Sequence, residues 1–250
     1  MEKYNKTIIP NVIQHIMDQA TEISKMVKRV LDSCSLARTI STETFANLAP
    51  VMRIIEISES RKKWGQYGWT QPLSAPFDYF HDCPNTLAEA DKMALLYCKT
   101  EHLQKLFDVL RTKKIKKDVL EEAIFCFENR KYRACALIVF GIIDSMLIKI
   151  QPKDKRVRPS GAKAYKTFSD DILACYIGTI SCMDTLFENA DDFRLRTSQT
   201  NRNFVSHGMA KSVRKKDCIK LFLLLYHCMA SIEELFQWSE HFSSSKKTVP

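Results

Sequence analysis

Apolar side chains recur every three to four residues along much of the chain, which is the spacing of one face of an α-helix. The first segment with this spacing predicts an amphipathic helix whose apolar side consists of Ile9, Val12, Ile13, Ile16, Ile23, Val27, Val30 and Leu31. A second, weaker helix is predicted over about residues 41–60. After this second segment the helical spacing is lost.

Glycines, prolines and aromatic residues replace the helical spacing between Arg61 and Pro84. The aromatic residues of this stretch are Trp64, Tyr67, Trp69, Phe77, Tyr79 and Phe80. Because glycine and proline interrupt regular elements, we interpret the stretch as an aromatic-rich linker that folds back on a domain. The Trp64 and Trp69 rings could stack on a nucleobase, but packing of the N-terminal segment against a helical bundle is the favoured interpretation.

Two start signals of the capping-box type follow, in which Thr or Asp precedes Glu by three residues. The first predicts a helix over about residues 86–110, and the second predicts a helix over residues 118–129. A further helix is predicted over residues 131–150, so the last two should form a helical hairpin with a very short turn. The residues that form the two signals are Thr86 with Glu89, and Asp118 with Glu121.

Three more helices are predicted in the C-terminal part of the chain. The serine that begins residues 169–188 can cap the first of them. A short helix should end at His207, because Gly208 is suited to the left-handed conformation that stops helices. The last helix is predicted over about residues 216–241. Its centre, residues 221–226, is apolar on most sides, which favours a central position in a bundle.

These elements predict an all-α protein in three parts. Residues 1–84 form an N-terminal helical region with the aromatic-rich linker, residues 85–242 form a helical bundle, and residues 243–250 form a flexible tail. Six glycines and eight prolines in 250 residues argue against an all-β fold, which needs frequent turns. The motifs GxxxxGK[ST], GxGxxG, GxSxG and HExxH are all absent from the sequence.

Charge and cysteine content narrow the class of protein further. The 38 lysines and arginines exceed the 29 acidic residues, which gives a formal charge of +9 and favours an anionic partner. The nine cysteines form no CxxC pair, and the first ten residues lack an apolar leader. The longest apolar run, residues 134–143, is shorter than the ~18 residues that a membrane span requires. We therefore predict a cytoplasmic protein with reduced cysteines that does not enter a membrane.

Potential metal ligands are poorly spaced, so we predict neither a metal nor a cofactor. His81, Asp82 and Cys83 are adjacent but lack a second set of ligands at a suitable spacing, so exposed positions in a surface loop are favoured. His227 lies within the apolar part of the last helix. For this residue a hydrogen-bonded histidine of the core is the favoured interpretation.

The segment Asn201–Gly208 combines a permanent cation, a polar amide and a titratable imidazole at one helix end. Asn203 and His207 are four residues apart and share a helix face. Arg202 and His207 are five apart, about 140° around the axis and ~7.5 Å along it, so they flank one groove. Arginine matches phosphate oxygens, and imidazole exchanges protons near neutral pH. This combination suits metal-free cleavage of RNA, in which the 2′-OH attacks its own phosphate.

The segment Asn-Arg-Asn-x3-His-Gly that begins at Asn201, with the basic turn and Leu-rich helix after it, resembles the Arg-x(4–6)-His motif of the HEPN superfamily. The polar residue that commonly follows the motif arginine is Asn203. Residues 130–136 and Asp144 resemble the family's second helix, in which an acid, more often Glu than Asp, orients the motif arginine. The resemblance covers about residues 86–242 and is strongest to the abortive-infection-like HEPN proteins.

The resemblance implies an up-and-down bundle of four to five helices that forms a homodimer. The two motifs would then face each other across the twofold axis and form one composite cleft. Many HEPN proteins are metal-independent endoribonucleases in phage defence, toxin–antitoxin or RNA-processing systems. Others are inactive and bind nucleotides or partner proteins.

The resemblance also implies a role for each residue of the candidate site. Arg202 would polarise the phosphate of the RNA, and His207 would be the acid–base group. Asn203 would position His207, and Asp144 would position Arg202. The basic residues next to the motif in sequence are the candidates for contact with the RNA backbone: Arg214, Lys215 and Lys216.

Three alternatives to a nuclease site remain open at this point. Arg202 and His207 could simply cap their helix and pair with Asp191 or Asp192. The chain could be a catalytically silent HEPN-like module that binds a nucleotide, an antitoxin or another regulatory partner protein. A DNA-binding regulator is a weaker interpretation, because the short helix before His207 lacks a clear partner helix at helix-turn-helix spacing.

Overall fold

All regular elements that the structure describes are helices, so the predicted all-α class is confirmed. The predicted helix over residues 9–31, the serine at position 169 and the last five residues lie outside the described part of the chain. The structure is a computed structural model, and it describes residues 56–76, 78–149, 151, 177–188 and 200–245, with side chains as far as Glu233.

Among the described helices, the last one is the longest. A 3₁₀ turn over Tyr79–His81 separates the first two of them. In chain order they are α1 (56–66), α2 (Leu87–Leu95), α3 (Thr100–Thr112), α4 (Lys117–Glu128), α5 (Tyr132–Lys149), α6 (Ile177–Phe187), α7 (Arg202–Ser206) and α8 (Lys215–Ser245).

The α4–α5 pair is the predicted helical hairpin. Asn129 ends α4, and its side-chain amide donates to the carbonyl of Phe125 at 2.8 Å. Arg130 has a positive φ of 59°, which turns the chain back within three residues, and Lys131 precedes the first residue of α5. The two helices pack along each other, and α5 also contacts α7 and α8. The prediction of a hairpin with a very short turn is confirmed.

Helix α8 lies at the centre of the bundle, as its sequence predicts. Every residue of the range 221–225 is at most 1% exposed, and α8 contacts α3, α5 and α6. Three phenylalanines join α3, α4 and α8, since the ring centroid of Phe222 lies 4.9 Å from that of Phe107 and 5.7 Å from that of Phe127. Edge-to-face contacts of this kind add to the hydrophobic stabilisation of the core.

The aromatic-rich stretch is part of the same core, which confirms that it folds back on the bundle. Trp64 and Trp69 are both 0% exposed. Their indole N–H groups donate to the carbonyl of Asp82 at 3.1 Å and to the carboxylate of Asp91 at 2.9 Å. With both rings buried in this way, neither indole is available to stack on a nucleobase.

The start of the predicted linker at Arg61 is wrong, because α1 continues to residue 66. Gly65 permits this continuation. A Cβ atom built on it would lie 2.5 Å from the carbonyl oxygen of Gly178 and 2.6 Å from Cβ of Ser181, both on α6. The Ser181 hydroxyl donates to the carbonyl of Lys62 at 2.7 Å. Gly65 therefore lets α1 pack closely on α6 and does not end the helix.

The single helix predicted over residues 86–110 is in fact two helices, α2 and α3. The N-terminal signal is correct, since the Thr86 hydroxyl accepts from the Glu89 amide at 3.2 Å. The break follows from the positions of the buried residues. Ala94 of α2 and Leu103 of α3 are nine residues apart, so on one continuous helix they would point in opposite directions. The turn between the helices allows both residues to be buried.

Two further helix ends differ from the prediction. The capping box at Asp118 and Glu121 is wrong: α4 begins one residue earlier, and its N-cap, Lys116, makes no side-chain hydrogen bond. Glu121 instead accepts from Arg111 of α3 at 2.7 and 2.9 Å, so it joins two helices. Helix α8 continues to Ser245, past the predicted end near residue 241.

Candidate active site

The short helix α7 begins at a well-formed N-cap. The Asn201 side-chain oxygen accepts from the backbone amides of Asn203 and Phe204 at 2.9 and 3.5 Å. Its amide group donates to the carbonyl of Glu188 at 3.0 Å, which fastens α7 to the end of α6. Asn201 is only 3% exposed. No role for Asn201 was predicted, although asparagine before a helix start is a strong N-cap signal.

Arg202 is held by an ion pair with Asp144 of α5. The Asp144 carboxylate oxygen Oδ2 accepts from Nη2 of Arg202 at 2.8 Å and from Nε at 3.2 Å. The side chain of Arg202 is 29% exposed, and that of Asp144 is 13% exposed. The expected contact between these two residues is therefore present, and Arg202 is fixed in direction while its side chain stays partly exposed.

The side chain of Asn203 contacts Arg202 and α6. Its oxygen accepts from Nη1 of Arg202 at 3.2 Å, and its amide group donates to the carbonyl of Glu188 at 3.1 Å. The backbone carbonyl of Asn203 accepts from the backbone amide of His207 at 3.0 Å. The contacts of the Asn203 side chain thus orient Arg202, and the positioning of the His207 ring by Asn203 stays a prediction.

His207 ends α7 and is exposed. Gly208 has a φ of +71°, the left-handed conformation expected after the helix, so the predicted helix end is confirmed. The chain then turns back on α7, because the amides of Met209 and Ala210 both donate to the carbonyl of Phe204, at 2.8 and 2.9 Å. An exposed imidazole can exchange protons with a bound ligand near neutral pH.

Arg133, near the start of α5, holds this turn from the outside. Its Nη2 donates to the carbonyl of Ala210 at 2.8 Å, and its Nη1 donates to the carbonyl of Gly208 at 3.3 Å. No residue pattern predicts this contact, because the acceptors are backbone carbonyls, which every residue type carries.

The three basic residues predicted to contact RNA differ in their surroundings. Arg214 and Lys215 are exposed, and the Lys215 ammonium lies 5.8 Å from the centroid of the Phe127 ring. Lys216 instead forms an ion pair with Asp91 of α2, and its side chain is 31% exposed. Arg214 and Lys215 are therefore better placed than Lys216 for contact with an RNA backbone.

Asp91 and Lys220 are the most strongly buried charged residues of the described ranges. Asp91 accepts from Lys216, from Lys220 at 3.0 Å and from the Trp69 indole. Burial acts to raise the pKa of Asp91, but these donors and charges outweigh it, and the pKa lies below its ordinary value. Burial lowers the pKa of Lys220, whose ammonium also donates to the carbonyl of Tyr67 at 2.8 Å. These contacts join the aromatic-rich stretch, α2 and α8.

Other titratable groups in the described ranges have structural surroundings. His227 is partly buried, and its Nε2 lies 2.8 Å from the carbonyl of Gln71, so this nitrogen carries the proton and donates. Burial lowers the pKa of His227. Burial also raises the pKa of the Cys98 and Cys228 thiols to about 12, so neither is a thiolate nucleophile near neutral pH.

Metal ligands do not cluster within the part of the chain that the structure describes, where no group of three or more His, Cys, Asp or Glu side chains is placed to hold an ion. His81, Asp82 and Cys83 are all exposed, in line with the surface-loop interpretation.

None of the described helices has the length and apolar character to cross a membrane. No protein-family model, curated protein or solved structure matches the chain.

Proposed function

We propose that this protein is a metal-independent endoribonuclease of the HEPN type that acts as a homodimer. The observation that carries the proposal is the arrangement of α7. The first residue of this helix, Arg202, is fixed by Asp144 and partly exposed, and the residue that ends the helix, His207, is exposed. A fixed cation can stabilise the charge that develops on a phosphate, and an exposed imidazole can transfer protons in metal-free RNA cleavage.

In the proposed reaction the 2′-OH of one nucleotide attacks the adjacent phosphorus. A bond from O2′ to phosphorus forms, and the bond from phosphorus to O5′ of the next nucleotide breaks. His207 of one subunit accepts the proton of the 2′-OH, and the imidazolium of the partner subunit protonates the leaving O5′. The products are a 2′,3′-cyclic phosphate and a 5′-hydroxyl. Arg202 stabilises the negative charge that develops on the phosphate oxygens.

The proposed partners are RNA, a second copy of this chain, and an antitoxin or other regulatory protein. The net charge of +9 supports an anionic substrate. Phage defence and toxin–antitoxin systems are the proposed setting, because the resemblance to the HEPN superfamily implies them.

One observation favours a second candidate, a catalytically silent HEPN-like module that binds a nucleotide or a partner protein. All three nitrogens of the Arg202 guanidinium have an acceptor within the protein, on Asp144 or on Asn203. These contacts hold the guanidinium in a fixed orientation, but they leave fewer of its N–H groups free to bind a phosphate. The silent candidate predicts a dimer whose melting temperature rises on addition of nucleotide and which cleaves no RNA.

The proposal is tested by incubating the purified full chain with single-stranded RNA in EDTA. We expect cleavage that leaves 2′,3′-cyclic phosphate and 5′-hydroxyl ends. We also expect no cut at a position where the nucleotide 5′ to the scissile phosphate is replaced by its 2′-deoxy form. Cleavage that EDTA abolishes, or that proceeds at the 2′-deoxy position, would contradict the mechanism.

A further inference from the structure

Helix α5 holds both ends of the motif segment from one of its faces. Arg133 and Asp144 are 11 residues apart, which is three helical turns with an offset of only about 20°, so the two residues share a face about 16 Å apart along the axis. Asp144 binds Arg202 at the start of α7. Arg133 binds the carbonyls of Gly208 and Ala210, which follow His207. His207 therefore lies between two anchors on the same helix.

The contact made by Arg133 acts on the backbone directly beside His207. Gly208 is the next residue, and its left-handed φ of +71° sets the direction in which the chain leaves α7. A helix of five residues such as α7 contributes little stability by itself. The conformation of the turn after α7 therefore depends on contacts from outside the helix. The two hydrogen bonds from Arg133 connect this turn to α5.

We propose that Arg133 is a positioning residue for His207: by fixing the 208–210 turn on α5, it sets the direction of the imidazole. The kinetic consequence of this inference rests on the proposed nuclease function, whereas the structural consequence does not. Two donors on one planar group are required, because Nη1 and Nη2 reach different carbonyls. Lysine has a single nitrogen on a flexible stem and cannot reproduce this fork.

A competing role for Arg133 is direct contact with the RNA backbone, because its side chain is exposed. The two roles affect different kinetic constants. A residue that binds RNA equally in the ground state and the transition state changes KM, whereas a residue that positions the acid–base group changes kcat. The role as an RNA contact would also make the effect of substitution strongly dependent on salt.

The test compares Arg133→Met and Arg133→Lys with Lys131→Met in the full chain. Lys131→Met removes a positive charge two residues away, from an exposed side chain whose ammonium lies 5.8 Å from the Phe125 ring. We expect Arg133→Met to lower kcat for RNA cleavage by about 10- to 100-fold with little change in KM, since misplacement of a catalytic group by about 1 Å has effects of this size. Arg133→Lys should recover only part of the loss, and Lys131→Met should keep the wild-type kcat.

A second readout does not depend on activity. The NMR resonances of the His207 ring, assigned by their loss in His207→Gln, should shift or broaden in Arg133→Met and stay in place in Lys131→Met. A wild-type protein that cuts no RNA would end the nuclease proposal, and the resonances would then decide the role of Arg133. Unmoved His207 resonances in Arg133→Met, or a rise in KM at unchanged kcat, would overturn the positioning role.

Discussion

Asp91 and Asp144 each form an ion pair, and their surroundings separate a structural role from a candidate catalytic one. Asp91 and Lys220 are 7% and 3% exposed, and every donor to Asp91 described above comes from the core or its edge. Asp144 instead binds Arg202, whose side chain is 29% exposed. The Asp91 pair therefore fixes neighbouring elements, whereas the Asp144 pair directs an arginine whose side chain is partly exposed.

We predict that Asp91→Asn destabilises the protein by about 3 to 5 kcal/mol, because it leaves the buried Lys220 without its counter-ion. The matched control is Glu121→Gln, which removes a carboxylate from an ion pair with Arg111 whose side chains are 49% and 34% exposed. The free energy of unfolding of Glu121→Gln should fall by less than about 1 kcal/mol. Urea denaturation of both variants at neutral pH measures the difference.

The loss in Asp91→Asn should depend on pH in a defined direction. Burial already holds the pKa of Lys220 below its ordinary value, and the charge of Asp91 partly opposes this effect. Removal of Asp91 should therefore lower the pKa of Lys220 further. Between this lowered pKa and the unfolded value of about 10.4 the unfolded chain binds more protons, so stability rises with pH. The difference in the free energy of unfolding between Asp91→Asn and the wild type should therefore become smaller from about pH 7 to about pH 10. A gap that widens would show that Lys220 does not carry the effect.

At the scale of elements, local signals predicted helix positions better than helix interruptions. The α4–α5 hairpin and the end of α7 follow from residues at the ends themselves, such as Asn129 and Gly208. The break between α2 and α3 depends on which side of each helix faces the core, which is set by the rest of the bundle. The continuation of α1 through Gly65 depends in the same way on the close approach of α6.

Gly65 and Gly141 provide a matched pair of helical glycines that tests this packing. A Cβ atom on Gly65 would clash with the backbone of Gly178, whereas a Cβ atom on Gly141 has nothing within 4 Å. We expect Gly65→Ala to destabilise the protein by about 1 to 3 kcal/mol. Gly141→Ala should stabilise it by about 0.5 to 1 kcal/mol, because alanine is the better helix former. Thermal denaturation of the two variants measures both effects.

The two outcomes have opposite signs, so a general effect of alanine substitution cannot imitate them. A Gly65→Ala variant as stable as the wild type would contradict the close packing of α1 on α6. A destabilised Gly141→Ala variant would contradict the open surroundings of Gly141.

At the scale of the whole molecule, the described residues before and after Pro84 share one hydrophobic core. The sequence indicated that the aromatic-rich stretch folds back, because six large aromatic side chains require burial. The ion pairs between α2 and α8 could not be predicted. Asp91 and Lys216 are separated by 125 residues, and a lysine near the start of a helix is usually solvated.

Part of the candidate site was predicted from the need of a buried charge for a partner. An acid on an apolar helix needs a partner, and the motif arginine was the expected one, so the contact of Asp144 with Arg202 followed from the residues and the family resemblance. The contribution of Asn201 was missed although its N-cap signal was readable. The contact of Arg133 has no signature in the sequence, because only the folded chain brings α5 against the 208–210 turn.

The most direct measurement of the proposed site is the rate of RNA cleavage in EDTA by His207→Ala, beside the wild type and His81→Ala. His81 is an exposed histidine at the end of the 3₁₀ turn before α2, so its variant controls for the loss of a surface histidine. We predict that His207→Ala cleaves RNA at least about 100-fold more slowly while its fold and melting temperature stay unchanged, and that His81→Ala keeps the wild-type rate. A wild-type rate in His207→Ala would contradict the assignment of the Arg202–His207 segment as the active site.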